Sequence, residues 1–410
     1  MFGGRRQWAN VIRQPRHPQQ KDLPPDPARR EISDGPDQAF AMASHPTFGV
    51  EEEFLLADPT TGEPVAVNKA VASHAAQRGV KLQLELTSCQ IETTSDVVGG
   101  SRELREQLTR LRRTAAEAAE ASGAQLLAVA LPPTVPHEFP ITDTARYREI
   151  GEKFGMLAHE QGICGCHVHV AVPSREVAIR ASNRLRPWLP LFLALSANSA
   201  IYRNTDTGYA SFRSVLWGRL PNAGPPPQFD SIDEYDAAVE MLHAAGVVLD
   251  DGMVYWDVRP SAKFPTVEVR VADVPATVAE TVLLAALLRA TVMTALDDER
   301  RDEPSPPLTP YALRAAYWKS ARDGLDGDAI DLIESHAPVP ARVLLERLVE
   351  HVRPALEAVG DYDMAKDELA RIAEVGNGAM RQRRAWALRH DVADVIAELA
   401  SATLSETDSA

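Results

Sequence analysis

The chain has 410 residues, of which 45% are hydrophobic and 25% are charged, and this composition is typical of a soluble globular protein. Its 43 lysines and arginines against 58 aspartates and glutamates give a formal charge of −15, which disfavours nucleic acid and anionic membranes as partners. Three cysteines, no signal-peptide core and no segment that we expect to span a bilayer predict a cytoplasmic protein without a disulfide framework.

The first 45 residues are rich in proline, arginine and glutamine and lack an apolar period, so we predict that they are disordered. Met42 is therefore an alternative start of translation. The rest of the chain divides into a sheet-rich core at 46–297, a charged, proline-rich connector at 298–308, a helical C-terminal part packed on the core at 309–402, and a tail at 403–410.

Alternating apolar and polar residues predict strands at 48–57, 81–86, 89–93, 125–131, 163–172, 253–259 and 265–272. Helical periodicity predicts helices at 101–122, 143–159, 310–323, 340–359, 362–374 and 380–401. Ser231-Ile-Asp-Glu234 forms a capping box that opens another helix, and Pro275 fits the first position of a helix that runs to about 297. This order of elements predicts an α+β fold.

The segment CGCHVHVAV, residues 164–172, combines two cysteines and two histidines and raises the question of a zinc site. The segment is predicted to be a strand, on which successive side chains point to opposite faces. His167 and His169 therefore share one face and Cys164 and Cys166 the other, so one ion cannot collect all four ligands. We predict a histidine pair on a polar face, although by itself such a pair is more typical of hydrogen-bonded interior groups.

Three further strands repeat the design of an apolar back and a polar front. The front residues are Glu51 and Glu53 in GVEEEFLL, Gln90 and Glu92 in CQIET, and Glu268 and Arg270 in TVEVRV. Glu52 falls on the back of its strand, with Val50 and Phe54. Paired carboxylates repel each other unless a cation lies between them. For any single strand, the alternative to a cation site is an acidic edge that is exposed to solvent. Four such strands predict one sheet whose polar face carries carboxylates, a histidine pair and an arginine.

An oxygen-rich set of ligands suits Mg²⁺, with Mn²⁺ as the alternative, better than zinc or copper. Several such ions beside an arginine serve phosphoryl transfer, because the metals bridge phosphate oxygens while arginine stabilises the developing charge. The chain has no GxxxxGK[ST] loop, and Gly376-Asn-Gly-Ala379 is a weak glycine cluster. If ATP binds, we expect it to bind through metal ions and arginine on the sheet.

At these residues the chain resembles the glutamate–cysteine ligase 2 type of carboxylate–amine ligase, which is related to bacterial glutamate–cysteine ligases and more distantly to glutamine synthetase. The resemblance covers about 47–390 and rests on FGVEEEFLL, QIETTS, CGCHVHVAV, YRNTDTGYASFRSVLWGRLPNAGPPP, WDVRPS, TVEVRVAD and GNGAMRQRR. It implies a glutamine-synthetase-like fold: an antiparallel sheet, covered by helices, whose concave face holds two or three Mg²⁺ ions and ATP.

The resemblance also implies roles for individual residues. It assigns the metal ions to Glu51, Glu53, Glu92, His167 and Glu268, and the transferred phosphoryl group to Arg270. His167 matches the single histidine of the relatives better than His169 does.

Further candidates come from residue chemistry. Guanidinium groups suit carboxylates, so Arg203, Arg213 and Arg259 are candidates for holding the substrate, with a structural salt bridge as an equally good interpretation. Trp217 and Tyr209 are candidates for the pocket wall or plain core aromatics. Arg381, Arg383 and Arg384 could reach phosphate, although a solvated helix end explains them better.

The implied reaction joins a carboxylate to an amine through an acyl phosphate, with glutamate and cysteine as the expected pair and γ-glutamylcysteine, ADP and phosphate as products. Family members show weak activity toward this pair, so other amines are open. Two alternatives use the same residues: a metal-dependent amide hydrolase that activates water, and a non-catalytic nucleotide or metal sensor. Helices such as 340–359 are candidate surfaces for a homo-oligomer.

Overall fold

The computed structural model describes residues 45–160, 162–303, 305 and 307–405. The predicted disorder of the first 45 residues concerns a segment outside this range, apart from His45, and so does the alternative start at Met42. Of the predicted tail, Thr403 and Leu404 belong to the last helix, and residues 406–410 lie outside the described part of the chain.

Thirteen strands are present among the described residues. In chain order they are β1 (Phe48–Ala57), β2 (Gln83–Leu84), β3 (Gln90–Thr94), β4 (Gln125–Leu127), β5 (Gly165–Ala171), β6 (Ile201–Tyr202), β7 (Thr205–Asp206), β8 (Ala223–Gly224), β9 (Tyr255–Trp256), β10 (Val258–Pro260), β11 (Thr266–Asp273), β12 (Asp328–Ile330) and β13 (Pro338–Pro340). Seven of them form one antiparallel sheet in the order β10–β11–β5–β1–β3–β2, with β4 paired to the end of β1. The antiparallel α+β prediction is confirmed.

The α-helices of the same residues include the predicted helical segments and others that were not predicted, such as Asn68–Gln77 and Phe212–Trp217. They are α1 (Asn68–Gln77), α2 (Ser101–Glu120), α3 (Ala145–Phe154), α4 (Met156–His159), α5 (Arg175–Leu185), α6 (Leu189–Ser196), α7 (Phe212–Trp217), α8 (Ile232–Ala244), α9 (Val278–Arg300), α10 (Pro310–Asp323), α11 (Ala341–His351), α12 (Arg353–Val359), α13 (Tyr362–Val375), α14 (Gly378–Arg389) and α15 (Val392–Leu404). Ser231 accepts a hydrogen bond from the backbone N–H of Glu234, so the predicted helix start is confirmed, although the Glu234 carboxylate accepts from the N–H of Asp230 rather than from that of Ser231.

Three predicted helix boundaries are wrong for local reasons. The helix expected to start at Pro275 begins at Val278, because Thr277 is the residue whose side chain caps it. The segment 340–359 is divided into α11 and α12 next to Pro354, which cannot donate the backbone hydrogen bond that a continuous helix needs. The segment 380–401 is divided at His390, whose backbone adopts a φ of 55°.

The apolar back of the sheet packs on helices that follow it in the chain. Val168 and Val269 share one hydrophobic cluster with Leu283 and Leu287 of α9. The same cluster continues through Leu344, Leu348 and Leu356 of α11 and α12. The sheet's position is therefore set by helices on both sides of residue 300.

The prediction that no segment could span a bilayer needs a correction. Helix α9 is long and apolar enough to cross a membrane by length and composition, but 94% of its apolar window is buried inside the protein. This burial is what a core helix shows, and the contacts of α9 with the sheet account for its apolar sequence.

A fully buried ion pair fixes the back of β1. The guanidinium of Arg112, on α2, donates to both carboxylate oxygens of Glu52 at 2.6 and 3.1 Å. Thr281 of α9 donates to the same carboxylate at 2.7 Å. Arg112 also donates to the carbonyl oxygens of Pro275 and Ala276, each at 3.0 Å. This network joins α2, β1 and the start of α9, and it leaves the Glu52 charge compensated.

Candidate active site

Strand register brings the predicted front residues together. Glu51 lies opposite His167 on β5, and Glu53 lies opposite Glu92 on β3. On the other side of β5, Glu268 lies opposite His169. These front residues, together with Gln90 and Arg270, line one cavity of about 400 Å³. The four strands therefore form one polar face, as the alternation pattern predicts.

Two groups of side chains on this face have the spacing of a metal site. Glu51, Glu92 and His167 place one potential ligand atom each within 4.8 Å of one another, and Glu53, Glu85 and Glu92 do the same. Clustered carboxylates repel each other, and burial raises the pKa of Glu92 well above its usual value, as do the charges of Glu85 and Glu51. A divalent cation at each group would remove this repulsion, so the residues fit Mg²⁺ or Mn²⁺.

Glu85 is a cavity residue that the sequence analysis missed. Burial raises the pKa of its carboxyl to about 8, with help from the charges of Glu53 and Glu51. The sequence does contain a signal, since Gln83 and Glu85 alternate with leucines in residues 81–86. Those positions have the apolar back and polar front of the other strands, although only Gln83 and Leu84 pair as a strand.

The two histidines have different surroundings. Nδ1 of His167 lies 3.0 Å from Glu51, and its Nε2 lies 3.8 Å from Glu53, so this ring reaches both carboxylates of β1. Burial lowers the pKa of His167, as does the charge of Arg270, and the neutral ring is the form that binds a metal. Nδ1 of His169 lies 3.0 Å from the hydroxyl of Thr266, whereas its buried Nε2 has no hydrogen-bond partner among the described residues.

Glu268 is held by two arginines. Arg259 bonds both of its oxygens at 3.1 Å, and Arg270 bonds one of them at 2.5 Å. Burial alone would raise the pKa of Glu268, but the charges of Arg259 and Arg270 lower it below its usual value. Glu268 belongs to neither of the two ligand groups. Its role as a metal ligand stays a prediction, and its observed partners are cations.

Arg259 forms a salt bridge with Glu268. Its Nε and Nη2 donate to Glu268, and its Nη1 donates to the backbone carbonyls of Asp251, Gly252 and Val254. Each of its nitrogens therefore donates to a protein oxygen. Of the two interpretations that the sequence allows for Arg259, this geometry favours the salt bridge over a substrate contact.

Arg213 reaches the cavity because residue 165 is glycine. A Cβ at Gly165 would lie 2.5 Å from Nη2 of Arg213, so any larger residue there would displace the guanidinium. The backbone N–H of Gly165 also donates to Glu53 at 2.6 Å. The glycine in the CGCHVHVAV motif thus serves both the arginine and a predicted metal ligand, which sequence analysis did not recognise.

Three buried donors in the cavity wall have no acceptor within the described part of the chain. They are Nε of Arg213, Nε1 of Trp217 and Nε of Arg270. The guanidinium of Arg213 lies 5.9 Å from the Trp217 ring, and that of Arg270 lies 5.9 Å from the Tyr255 ring. Because buried donors without acceptors are costly, the three mark a place for a bound anion such as a carboxylate or a phosphate.

Several sequence candidates lie outside this cavity. Arg203 is exposed, has a φ of 53°, and lies against the ring of Tyr202 and 3.7 Å from Glu160, so the structure does not bring it together with the other predicted site residues. Tyr209 does not line the cavity either, and its hydroxyl accepts a hydrogen bond from Trp318.

The arginines of GNGAMRQRR are also remote from the cavity. Arg381 is buried in an ion pair with Glu280, which is neither a phosphate contact nor a solvated helix end. Arg383 pairs with Asp206, and Arg384 donates to the carbonyl of Val375. The motif is structural: a Cβ at Gly378 would lie 2.1 Å from the side-chain oxygen of Asn198.

The cysteines do not take part in a ligand group with the histidines. Cys164 and Cys166 are buried in two different hydrophobic clusters, and burial raises the pKa of both thiols well above the usual value. Cys166 lies opposite Glu52, on the back of the sheet. The geometry agrees with the prediction of a histidine pair with core cysteines.

Comparisons with known proteins match most of the chain. The family model described as "Glutamate-cysteine ligase family 2" matches residues 47–398. A protein of Mycolicibacterium smegmatis named "Putative glutamate--cysteine ligase 2-3" is 69% identical over 365 residues, which cover 89% of this chain and 100% of the relative. A protein of Nocardia farcinica named "Putative glutamate--cysteine ligase 2-1" is 59% identical over 359 residues, which cover 88% of this chain and 94% of the relative.

Two solved structures share the fold. A bifunctional glutathione synthetase from Pasteurella multocida has a TM-score of 0.62 at 14% identity, over 88% of this chain and 52% of that one. A glutamate–cysteine ligase from Francisella tularensis, solved in complex with AMP, has a TM-score of 0.59 at 12% identity, over 89% of this chain and 93% of that one.

Proposed function

The chain belongs to glutamate-cysteine ligase family 2, and from this membership we propose that it is an ATP-dependent carboxylate–amine ligase. Its acid substrate is glutamate, which is activated at the γ-carboxylate. Its products are an amide, ADP and phosphate. The observation that carries the proposal is the meeting, in one cavity, of two carboxylate groups with metal spacing and three buried donors without acceptors. Such a cavity suits a reaction among several anions.

The carboxylates supply the cation sites in this proposal. Glu51, Glu92 and His167 would hold one Mg²⁺ ion, and Glu53, Glu85 and Glu92 would hold a second. Ions bound at these residues would supply the positive charge that neutralises the phosphate oxygens of ATP. Each group offers mainly oxygen ligands, which supports Mg²⁺ or Mn²⁺ rather than zinc.

The arginines hold the anionic substrates. Arg270 keeps a permanent charge, because its neighbour Glu268 raises the pKa of the guanidinium further even though burial lowers it. That charge and the free Nε suit the phosphoryl group that is transferred. Arg213 and Trp217 offer the other two free donors, and they hold a carboxylate of the acid substrate.

The reaction then has two steps. An oxygen of the substrate carboxylate attacks the γ-phosphorus of ATP, the bond to the bridging oxygen breaks, and ADP leaves with the electron pair. The amine nitrogen next attacks the carbonyl carbon of the acyl phosphate, the C–O bond to phosphate breaks, and the nitrogen loses a proton. The side chains of this cavity position the reactants and neutralise their charges, and none of them becomes covalently attached.

A cytoplasmic location is part of the proposal. Cys89, Cys164 and Cys166 are all unpaired and buried, which agrees with a protein that needs no disulfide. The proposed reaction consumes ATP, which agrees with the same location.

Trapping with hydroxylamine tests the proposed function without knowledge of the natural amine. Hydroxylamine is a small nucleophile that converts an acyl phosphate into a hydroxamate and phosphate. We expect glutamate-dependent formation of ADP and γ-glutamyl hydroxamate with Mg²⁺ and ATP, measured by coupled absorbance and mass spectrometry. Hydrolysis of amides without ATP would favour the hydrolase. Tight binding of ATP without ADP release, with glutamate and with a panel of other acids, would favour a sensor.

A further inference from the structure

The carboxylate of Asp273, the last residue of β11, is fully buried. Its Oδ2 accepts hydrogen bonds from the backbone N–H of Asn198 at 2.8 Å and from the hydroxyl of Ser199 at 2.7 Å. Its Oδ1 accepts a hydrogen bond from the hydroxyl of Ser211 at 2.8 Å. Asp273 does not line the cavity, so its carboxylate is a buried charge that the proposed reaction does not use directly.

The two serines connect this carboxylate to Arg213. Each hydroxyl donates its single hydrogen to Asp273, which leaves the oxygen free to accept a hydrogen bond from another group. The oxygen of Ser199 accepts from the backbone N–H of Arg213 at 3.1 Å, and the oxygen of Ser211 accepts from that of Ser214 at 3.4 Å. Ser211 thereby caps α7, the short helix that carries Arg213. Asp273 therefore fixes the first turn of α7 through two hydroxyl groups.

The same carboxylate also lies beside the charged end of Arg213. Oδ1 of Asp273 is 3.8 Å from Nη1 of the guanidinium, and both side chains are almost completely buried. The hydrogen bonds that the guanidinium donates to backbone carbonyls are long, at 3.4 Å from Nη1 to Val271 and 3.5 Å from Nη2 to Arg270. Nε is the nitrogen that is left without an acceptor. The main chain and the guanidinium of Arg213 thus both depend on Asp273.

From these contacts we propose that Asp273 is a positioning residue, which orients Arg213 for the carboxylate of the acid substrate. The inference rests on the proposed ligase function, in which Arg213 holds that carboxylate. The alternative is a purely structural role, in which Asp273 only ties the segment before α7 to the end of β11. A positioning residue acts on the substrate through Arg213, so its effect on substrate affinity disappears when Arg213 is absent.

The kinetics of the hydroxylamine reaction test this role. In Asp273→Asn the amide NH₂ replaces an oxygen that accepts hydrogen bonds, and the negative charge beside Arg213 is lost. We expect KM for glutamate to rise between about 10-fold and 100-fold, because a displaced guanidinium makes a weaker hydrogen bond to the carboxylate. KM for ATP should stay unchanged. Formation of ADP at saturating hydroxylamine measures both constants.

A second substitution shows whether Asp273 acts through Arg213. Arg213→Met should itself raise KM for glutamate, since it removes the guanidinium. Addition of Asp273→Asn to Arg213→Met should raise KM no further, because the group that Asp273 positions is already gone. For a purely structural role, the effects of the two substitutions would multiply. Calorimetric titration with glutamate gives the same comparison where turnover is too slow to measure.

Asp361→Asn is the matched control. Asp361 is also a buried aspartate, it accepts a hydrogen bond from the hydroxyl of Ser101 at 2.7 Å, and it does not line the cavity. Both asparagine variants should lose stability, but the control should keep the KM for glutamate of the unaltered protein.

Ser199→Ala is a milder variant that serves if Asp273→Asn does not fold. It keeps the charge of Asp273 and removes the link to the backbone N–H of Arg213. Because one neutral hydrogen bond is lost, KM for glutamate should rise about 2- to 10-fold, and this rise should also disappear in the Arg213→Met background.

The outcomes separate the proposed role from the function on which it rests. Hydroxamate formation with an unchanged KM for glutamate in Asp273→Asn would overturn the role and leave the ligase intact. An equal rise in KM for ATP would do the same, and so would effects of Asp273→Asn and Arg213→Met that multiply. If the unaltered protein forms no hydroxamate from glutamate, the proposed function fails, and the assignment of Arg213 and Asp273 to this acid fails with it.

Discussion

Three consecutive glutamates on β1 show how differently two faces of one strand use the same residue. Glu52 points into the core, where Arg112 binds both of its oxygens and Thr281 donates a third hydrogen bond. Glu51 and Glu53 point into the cavity, where they meet other carboxylates and His167. The charge on the back of the strand is compensated within the chain, whereas the front carries clustered carboxylates for which we propose a bound cation.

This comparison also holds across the polar face. Glu268 resembles Glu52, because Arg259 and Arg270 compensate its charge. Glu85 and Glu92 differ from Glu52, because burial and the charges of neighbouring carboxylates raise the pKa of Glu85 and that of Glu92. A buried carboxylate with a cation in the chain is thus a structural element, and a group of them without one indicates a ligand site.

The largest effect is expected on stability, when the buried pair of Glu52 and Arg112 behind β1 is broken. Arg112→Met leaves Glu52 buried without its cation, and removal of one partner of such a pair costs about 3–5 kcal/mol of unfolding free energy. Urea denaturation measures this loss. The double variant Glu52→Leu/Arg112→Met should regain most of it, since no buried charge is left. A loss below about 1 kcal/mol in the single variant would contradict the comparison.

The second largest effect is expected on activity, when a carboxylate on the front of β1 is removed. Glu53→Gln should lower the rate of ADP formation at least about a hundredfold, because loss of a group next to a metal already costs 10- to 100-fold. Its melting temperature should stay equal or rise, because one of several repelling charges is gone. Glu63→Gln, on an exposed position outside the cavity, is the matched control. Normal activity in Glu53→Gln would remove Glu53 from the proposed metal site.

Alternation along strands made much of this face predictable. The period of two is a local property of an extended backbone, so the sequence alone predicts that Glu51 and Glu53 share a face and that Glu52 does not. Strand order was not needed for that step. It was needed for the meeting of Glu53 on β1, Glu92 on β3 and Glu85, which directly follows β2.

Contacts that depend on the path of the chain between elements were not predictable. The partner of Glu52 is an arginine 60 positions away on a helix, and no periodicity connects the two. The role of Arg213 depends on the space above Gly165, which only the folded chain defines. The position of Arg203 outside the cavity likewise depends on a local turn, in which Arg203 and Asn204 both have positive φ.

A smaller effect concerns pH and metal. The pKa of Glu85 is raised to about 8 from a usual value of 4.5, so the folded metal-free protein binds a proton that the unfolded chain has lost. The free energy of unfolding therefore falls as pH rises between these two values, and Mg²⁺, which binds the ionised form, stabilises more at high pH.

Thermal unfolding with and without Mg²⁺ at about pH 6 and pH 8.5 measures this difference. We expect an increase in melting temperature of a few degrees that is larger at the higher pH. In Glu85→Gln, the increase should depend less on pH. An equal increase at both values in the unaltered protein would show that no carboxylate proton is displaced by the metal.

The smallest expected effect again concerns the back of the sheet. Cys166→Ala removes a buried sulfur that belongs to the hydrophobic cluster and to neither ligand group. Its rate of ADP formation and its bound Mg²⁺ should equal those of the unaltered protein, with a modest loss of stability. Metal analysis by mass spectrometry checks this, and loss of bound metal in this variant would revive a cysteine-containing site.

The buried pair behind β1 has a consequence for synthesis on the ribosome. Arg112 also lies 3.5 Å from the carbonyl of Thr403, and the hydroxyl of Thr403 accepts a hydrogen bond from Ala128 at 2.9 Å. The pocket around Glu52 is therefore closed by a residue that lies 291 positions after Arg112 in the chain. During synthesis, the pair of Glu52 and Arg112 lacks this contact until Thr403 has been translated, and a chain that terminates before Thr403 never makes it. We expect such truncated chains to be recognised by proteases rather than to accumulate as partial enzymes.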